Sequence, residues 1–139
     1  MITVEEALEG STPLARKVAL LGPAATPQQL VKRMRAAIPT LTDEEKIETL
    51  NAHPRIGGDL ASLSAQSLKE QGSDSVPELA RLNDEYEGRF GFRFVVFVNR
   101  RPKSEIVTAL EQRLRNNREQ EMAAGLSAIV DIAEDRLRA

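Results

Sequence analysis

Apolar residues recur at helical spacing along most of this chain. The clearest run precedes Gly91, at intervals of three and four residues that place side chains on one face of a helix; its members are Leu79, Leu82, Tyr86 and Phe90. A longer apolar stripe predicts a final helix over residues 118–138 and consists of Met122, Leu126, Ile129, Val130, Ala133 and Leu137. Both runs are typical of amphipathic helices that bury one face in a shared core.

Residues that begin helices divide the rest of the chain. Thr3 and Thr42 are each followed three residues later by a glutamate, which is the capping-box pattern of a helix start. Thr26 precedes a proline, and proline suits the first helical position because its missing N–H would have no partner there. Ser104 is likewise predicted to begin a helix as its N-cap. A second helix is predicted after Ser11, and its apolar side should include Leu14, Val18 and Leu21.

One segment departs from this pattern. Residues 92–98 are rich in valine and phenylalanine, a composition typical of a β-strand. No second segment of similar composition offers a partner, and an isolated buried strand would leave its backbone groups without hydrogen bonds. We therefore expect this segment to be buried and either helical or irregular. The fold predicted for residues 1–139 is all-α, a single compact domain of about seven to nine packed helices.

Composition excludes several kinds of site. The 139 residues include no cysteine and one histidine, which excludes a disulfide scaffold, a Cys-based zinc site and a multi-histidine metal cage within one subunit. The formal net charge of −2 argues against a surface that binds nucleic acid, so the basic clusters at residues 32–35 and 100–103 are expected to be solvated.

Hydropathy gives no sign of a membrane protein. No apolar run approaches the roughly 18–20 residues that span a bilayer. The N-terminal segment carries Glu5 and Glu6 where a secretory signal would be basic. We expect no contact with a membrane and a cytoplasmic location.

The single histidine, His53, lies at the predicted end of a helix and directly before Pro54. Imidazole ordinarily titrates near neutral pH, and the partial negative charge at a helix C-terminus would favour its protonated form. The alternative is a partly exposed histidine that caps the helix and has no catalytic role.

A second polar group follows in a helix predicted over residues 64–71. Ser67 and Glu70 are three residues apart and therefore share one face, and Gln71 comes next, before Gly72. A hydroxyl, a carboxylate and an amide from one helical turn can bind a small molecule rich in amide groups or hold a catalytic base in place. The alternative is a solvated polar face.

Arg136 lies near the end of the last predicted helix. Its planar guanidinium is suited to bind a carboxylate through two parallel hydrogen bonds. The alternative is an arginine that interacts favourably with the negative end of its own helix.

In their order along the chain, these motifs resemble those of the 2-oxo-4-hydroxy-4-carboxy-5-ureidoimidazoline (OHCU) decarboxylases of urate breakdown. The resemblance extends from about Val4 to Leu137. It is carried by Asn51-Ala-His-Pro-Arg-Ile-Gly57, Ser67-x-x-Glu70-Gln71-Gly72, Leu82-Asn83-x-x-Tyr86-Glu87-x-x-Phe90-Gly91-Phe92, Arg113-Leu114-x-Asn116 and Arg136-Leu137.

The resemblance implies an all-α fold and a cofactor-independent conversion of OHCU to (S)-allantoin and CO2, with no metal. The family's catalytic histidine corresponds to His53 and its glutamate to Glu70; which of the two delivers the proton is left open. Substrate-binding positions of the family correspond to Pro54, Ser67, Gln71 and Arg136. The segment after Phe-Gly-Phe forms a pocket wall in the family, which places the ligand near Val96, Phe97 and Val98.

Two features depart from the family pattern. Connectors near residues 55–63 and 72–76 are shorter than in most members, and Arg93 stands where members often have a small or apolar residue. Both bear on pocket shape and therefore on the substrate. The resemblance further implies a homodimer that binds a small ureidoimidazoline, and it leaves open an association with the preceding hydrolase of the pathway. The competing interpretations are a non-catalytic helical ligand-binding or interaction module and a related decarboxylase with a shifted ureide substrate.

Overall fold

Helices begin where local capping predicts them in the computed structural model, which describes residues 2–56 and 77–138. The side-chain oxygens of Thr3, Thr26 and Thr42 each accept a hydrogen bond from a backbone N–H three residues on, and both predicted capping boxes are present. The helices in the described residues are α1 (Val4–Ala7), α2 (Pro13–Ala19), α3 (Pro27–Ala37), α4 (Asp43–Asn51), α5 (Pro77–Phe90), α6 (Lys103–Arg113) and α7 (Arg118–Arg138). A 3₁₀ turn, Ile38–Thr40, follows α3.

Two local predictions are wrong. The helix start predicted at Ser104 lies two residues earlier, because Pro102 is the N-cap of α6 and the fixed φ of proline suits the extended conformation of that position. The second helix ends at Ala19, so Leu21 lies beyond it and is 58% exposed. The chain turns there through Gly22, whose φ is 83°.

All of these helices contribute to one apolar core. Every member of the apolar run on α5 and of the apolar stripe on α7 is buried. This confirms the two helix faces that the sequence predicts to lie in the core. The long α7 contacts α1, α3 and α4. Gly125 of α7 permits a close approach to α4, since a Cβ atom at Gly125 would lie 2.7 Å from Leu50 Cδ2. Because α4 leads into His53 and α7 carries Arg136, this contact helps to set the distance between them.

The strand-like segment, residues 92–98, is irregular, and no β-strand occurs in the described part of the chain. Two of its three phenylalanine rings are buried. Arginine side chains supply hydrogen bonds that a neighbouring strand would otherwise provide: Arg113 Nη1 donates to the Val95 carbonyl at 2.8 Å, and Arg101 Nη2 donates to the Phe97 carbonyl. The prediction of a buried irregular segment is confirmed.

A buried carboxylate joins three of the helices. Glu121, at the start of α7, is fully buried and accepts hydrogen bonds from the Tyr86 hydroxyl, Arg113 Nε and Asn116 Nδ2, each at 2.7 Å. Burial, and then the hydrogen bond to Glu121, raise the pKa of Tyr86, so the phenol remains a donor. These three hydrogen bonds link α5 and α6 to the start of α7 inside the core.

The all-α prediction is therefore confirmed. Among the residues that the structure describes, no helix is both long enough and apolar enough to cross a membrane.

Candidate active site

His53 lies immediately beyond α4, where the chain turns into the core. Its backbone N–H donates to the Leu50 carbonyl at 3.2 Å, and the residue is 3% exposed. Within residues 2–56 and 77–138, neither ring nitrogen has a hydrogen-bond partner. Leaving a buried polar atom unpaired is costly, so such an atom in a folded protein requires a reason, such as a catalytic role or a missing partner. The alternative of a partly exposed capping histidine is wrong.

Burial lowers the pKa of His53 from 6.5 to about 4. Desolvation of the charged imidazole is the largest cause, and the positive charge of Arg136 acts in the same direction. The negative charge of Glu9 and, least of all, the Thr49 carbonyl raise the pKa. The expectation that a helix C-terminus would favour the protonated ring is therefore wrong, because burial outweighs the helix dipole. At neutral pH the imidazole is uncharged and able to accept a proton.

Arg136 is buried and is bound to the far end of α1. Its Nη1 donates to the Ala7 carbonyl at 3.2 Å and its Nη2 to Glu9 Oε1 at 2.6 Å. Ala7 is the last residue of α1, so this guanidinium stabilises the negative end of a neighbouring helix rather than only its own. Its effect on the pKa of His53 shows that the structure brings these two predicted site residues near each other.

Glu9 is the site residue that sequence analysis missed. Its φ of 62° is uncommon for a residue with a Cβ atom, and its side chain is only 6% exposed. This turn directs the carboxylate back toward Arg136. The one sequence signal is an acidic residue next to Gly10 at the end of a short capped helix, and that pattern does not reveal burial.

The residues that follow His53 are bound to α5 by a hydrogen bond and by ion pairs. Asn83 Nδ2 donates to the Ile56 carbonyl at 2.8 Å, and Arg55 forms ion pairs with Asp84 and Glu87. Asn83 and Glu87 belong to the motif that carries the family resemblance. In this protein they bind the two residues that follow Pro54, Arg55 and Ile56.

The other predicted site residues have mixed outcomes. Pro54 is half-buried next to His53, and the predicted pocket wall is half-buried against the core; it consists of Val96, Phe97 and Val98. Their contact with a ligand stays a prediction. Ser67, Glu70 and Gln71 lie outside the described residues, so the pairing of His53 with Glu70 stays a prediction as well.

Arg93 contacts the backbone around His53. Its Nη1 donates to the carbonyls of Asn51, at 3.0 Å, and His53, at 3.1 Å, and its own N–H donates to Asn51 Oδ1 at 2.9 Å. A cleft of about 330 Å³ opens beside these contacts and is lined by Asn51, Glu87, Gly91, Phe92 and Arg93. The departure from the family pattern at Arg93 therefore lies against the main chain of the histidine.

The fold and the site define a class: an all-α protein in which a neutral imidazole and a carboxylate–guanidinium pair are buried in one region, suited to a small polar molecule. No group of three or more His, Cys, Asp or Glu side chains in the described ranges could hold a metal ion.

Residues 2–138 match the family model for OHCU decarboxylase. The chain therefore belongs to the OHCU decarboxylase family, as the sequence resemblance predicts.

Known relatives differ in length. The uric acid degradation bifunctional protein of Bacillus sp. (strain TB-90) is 30% identical over 137 residues, which cover 94% of this chain but 27% of that protein. The 2-oxo-4-hydroxy-4-carboxy-5-ureidoimidazoline decarboxylase of Haloferax volcanii is 29% identical over 140 residues, which cover 95% of this chain and 83% of that protein. The chain thus spans less than a third of the first relative and most of the second.

The fold is similar to that of a solved structure. A crystal structure of OHCU decarboxylase in the presence of (S)-allantoin matches this chain with a TM-score of 0.73 and 26% sequence identity, covering 91% of this chain and 89% of that one.

Proposed function

We propose that this chain decarboxylates OHCU to (S)-allantoin and CO2 without a cofactor. The observation that carries the proposal is the buried His53, whose ring nitrogens have no partner among the described residues, close to the ion pair of Glu9 and Arg136. Family membership over nearly the whole chain supplies the substrate class.

The substrate contains its own electron acceptor. In OHCU the carboxylate is bonded to a carbon that also bears a hydroxyl and adjoins a C=N bond. When the bond to the carboxylate breaks, CO2 leaves and the electron pair forms a C=C bond to the imine carbon, while the imine nitrogen takes a proton. The hydroxyl then loses a proton, and the former imine carbon gains one on a single face. The protein must therefore orient the carboxylate and transfer protons.

These steps assign roles to the residues of the site. His53 is neutral near pH 7, so it accepts the hydroxyl proton, and Glu70 is its partner in proton transfer. Arg136, whose guanidinium is held by the end of α1, binds a substrate oxyanion. The remaining pocket residues are Pro54, Ser67, Gln71, Val96, Phe97 and Val98.

The handedness of the product tests the function. OHCU generated from urate decays to racemic allantoin without a catalyst, so a circular-dichroism signal of one enantiomer reports the enzyme. We expect the parent protein to form (S)-allantoin and His53→Gln to lower kcat by about 10²–10⁴-fold, the usual contribution of a positioned acid–base group, with its helical spectrum retained.

Gln28→Ala, at an exposed position of α3, is the control and should keep the parental rate. Racemic product with the parent protein would contradict the function and favour the ligand-binding module. A parental rate in His53→Gln would contradict only the role of the histidine.

We also propose the two finer expectations from the sequence, a homodimer and a cytoplasmic location. Light scattering should give about twice the chain mass of 15.3 kDa, and a monomer at micromolar concentration would contradict the dimer. Cell fractionation tests the location.

A further inference from the structure

The position of Arg93 suggests a role beyond that of a surface cation. Arg93 lies at the start of the irregular segment 92–98, and all three of its contacts with the end of α4 go to Asn51 and His53. The last carbonyls of a helix have no partner within the helix. Arg93 supplies donors to two carbonyls in this region, one of which belongs to His53 itself.

The direction of the imidazole depends strongly on this backbone. The ring nitrogens make no hydrogen bond to described residues, so no polar side chain of that part of the chain fixes the ring. The main chain of His53 is instead held on both sides: its N–H donates to the Leu50 carbonyl, and its carbonyl accepts from Arg93. Small displacements of a reacting group can lower a rate by about 100-fold.

We propose that Arg93 is a positioning residue that fixes the main chain of His53 and thereby the direction in which the imidazole enters the site. The proposal rests on the proposed catalytic role of His53. In this role Arg93 binds the main chain of His53 and does not contact the substrate. Its effect therefore falls on kcat, with little change in KM.

A purely structural role predicts something different. A cation near the negative end of α4 stabilises the helix wherever its head group lies within the last turn. Loss of such a cap lowers the melting temperature but leaves kcat unchanged below that temperature. Two measurements distinguish a positioning role from a purely structural one. They are the change in kcat compared with the change in KM, and the NMR signals of the His53 imidazole.

The test compares two variants. Arg93→Met removes the side-chain donors, keeps most of the side-chain length and leaves the backbone N–H that binds Asn51, whereas Arg93→Lys keeps the charge and part of the donor capacity. We expect kcat to fall roughly 10- to 100-fold in Arg93→Met and less in Arg93→Lys, with KM within about twofold of the parent in both. Arg89→Met is the matched control, because Arg89 is exposed and its hydrogen bond to the Asn116 carbonyl is long, at 3.5 Å.

The single histidine of the chain makes the second readout unambiguous. NMR signals of the labelled imidazole should shift in both Arg93 variants and stay at their parental positions in Arg89→Met. Parental kcat and unshifted ring signals in the Arg93 variants would overturn the proposal. If Arg93→Met does not fold, Arg93→Lys carries the same two measurements. If the parent protein itself forms no (S)-allantoin, the proposed function fails, and the NMR comparison still decides whether Arg93 positions His53.

Discussion

Glu9 and Arg136 are 127 residues apart in the sequence, and their side chains form an ion pair of 2.6 Å in which both are almost fully buried. The pair joins the turn after α1 to the last turn of α7. It also places one negative and one positive charge near His53, with opposite effects on the pKa of the imidazole. The same ion pair therefore connects the two ends of the chain and influences the pKa of His53.

Replacing Glu9 tests this link. We expect Glu9→Gln to lower the free energy of unfolding by about 3 kcal/mol, because it removes a carboxylate that pairs with the buried guanidinium of Arg136 at 2.6 Å. The pKa of His53 should fall further, because Glu9 raises it. Denaturant unfolding and NMR titration of the single imidazole measure the two effects. Glu5→Gln, at an exposed position of α1, should change neither, and parental stability in Glu9→Gln would contradict the importance of the pair.

Arg136→Lys tests the guanidinium separately from its charge. An ammonium group cannot reproduce the planar fork that contacts both Ala7 and Glu9, so we expect lower stability and a higher KM for OHCU. Arg138→Lys is the matched control, since Arg138 is exposed and forms an ion pair with Glu134 one turn earlier on the same helix. An unchanged KM and kcat in Arg136→Lys would contradict the proposed binding of a substrate oxyanion.

The buried imidazole also predicts how stability depends on pH. The unfolded chain protonates His53 near pH 6.5, whereas the folded protein does so only near pH 4. The unfolded state therefore binds the additional proton between these values, and the stability contributed by the neutral ring is lost as the pH falls from about 6.5 to 4. The loss should total about 3 kcal/mol.

The difference between parent and His53→Gln isolates this effect from the carboxylates that titrate in the same range. In urea unfolding, the parent should lose about 3 kcal/mol of stability relative to His53→Gln as the pH falls from 6.5 to 4. The two stability curves should run parallel above pH 7. Curves that stay parallel from pH 7 to pH 4 would show that the histidine titrates normally.

Two glycines should respond to alanine in opposite directions. Gly125→Ala places a Cβ atom 2.7 Å from Leu50 Cδ2, and Leu50 is fully buried. We expect a net loss of about 1 kcal/mol, because overpacking costs about 1–3 kcal/mol and exceeds the gain in helix propensity. Gly88→Ala, on an exposed part of α5 with open space around it, should stabilise the protein by roughly 0.5–1 kcal/mol. Thermal unfolding of both variants checks the prediction, and a stabilised Gly125→Ala would contradict the close α4–α7 contact.

The sequence by itself determined where the helices capped by Thr3, Thr26 and Thr42 begin and which faces of α5 and α7 are buried. Thr3 and Thr42 cap their helices through atoms only three residues away, and the stripe on α7 follows from a repeat of three or four residues. Capping contacts and apolar periodicity involve residues within one or two helical turns of each other, so they can be predicted from the local sequence. The segment at residues 92–98 was also predictable, because a strand without a partner is unfavourable wherever the chain places it.

The tertiary structure alone decided the state of the site. His53 has the same neighbours in sequence whether it is exposed or buried, and its lowered pKa comes mainly from desolvation by packing. Glu9 forms an ion pair with Arg136, which lies at the opposite end of the chain. Arg93 donates hydrogen bonds to carbonyls of residues about 40 positions earlier. Burial and long-range pairing depend on how the helices pack against one another, and no local pattern of residues encodes that arrangement.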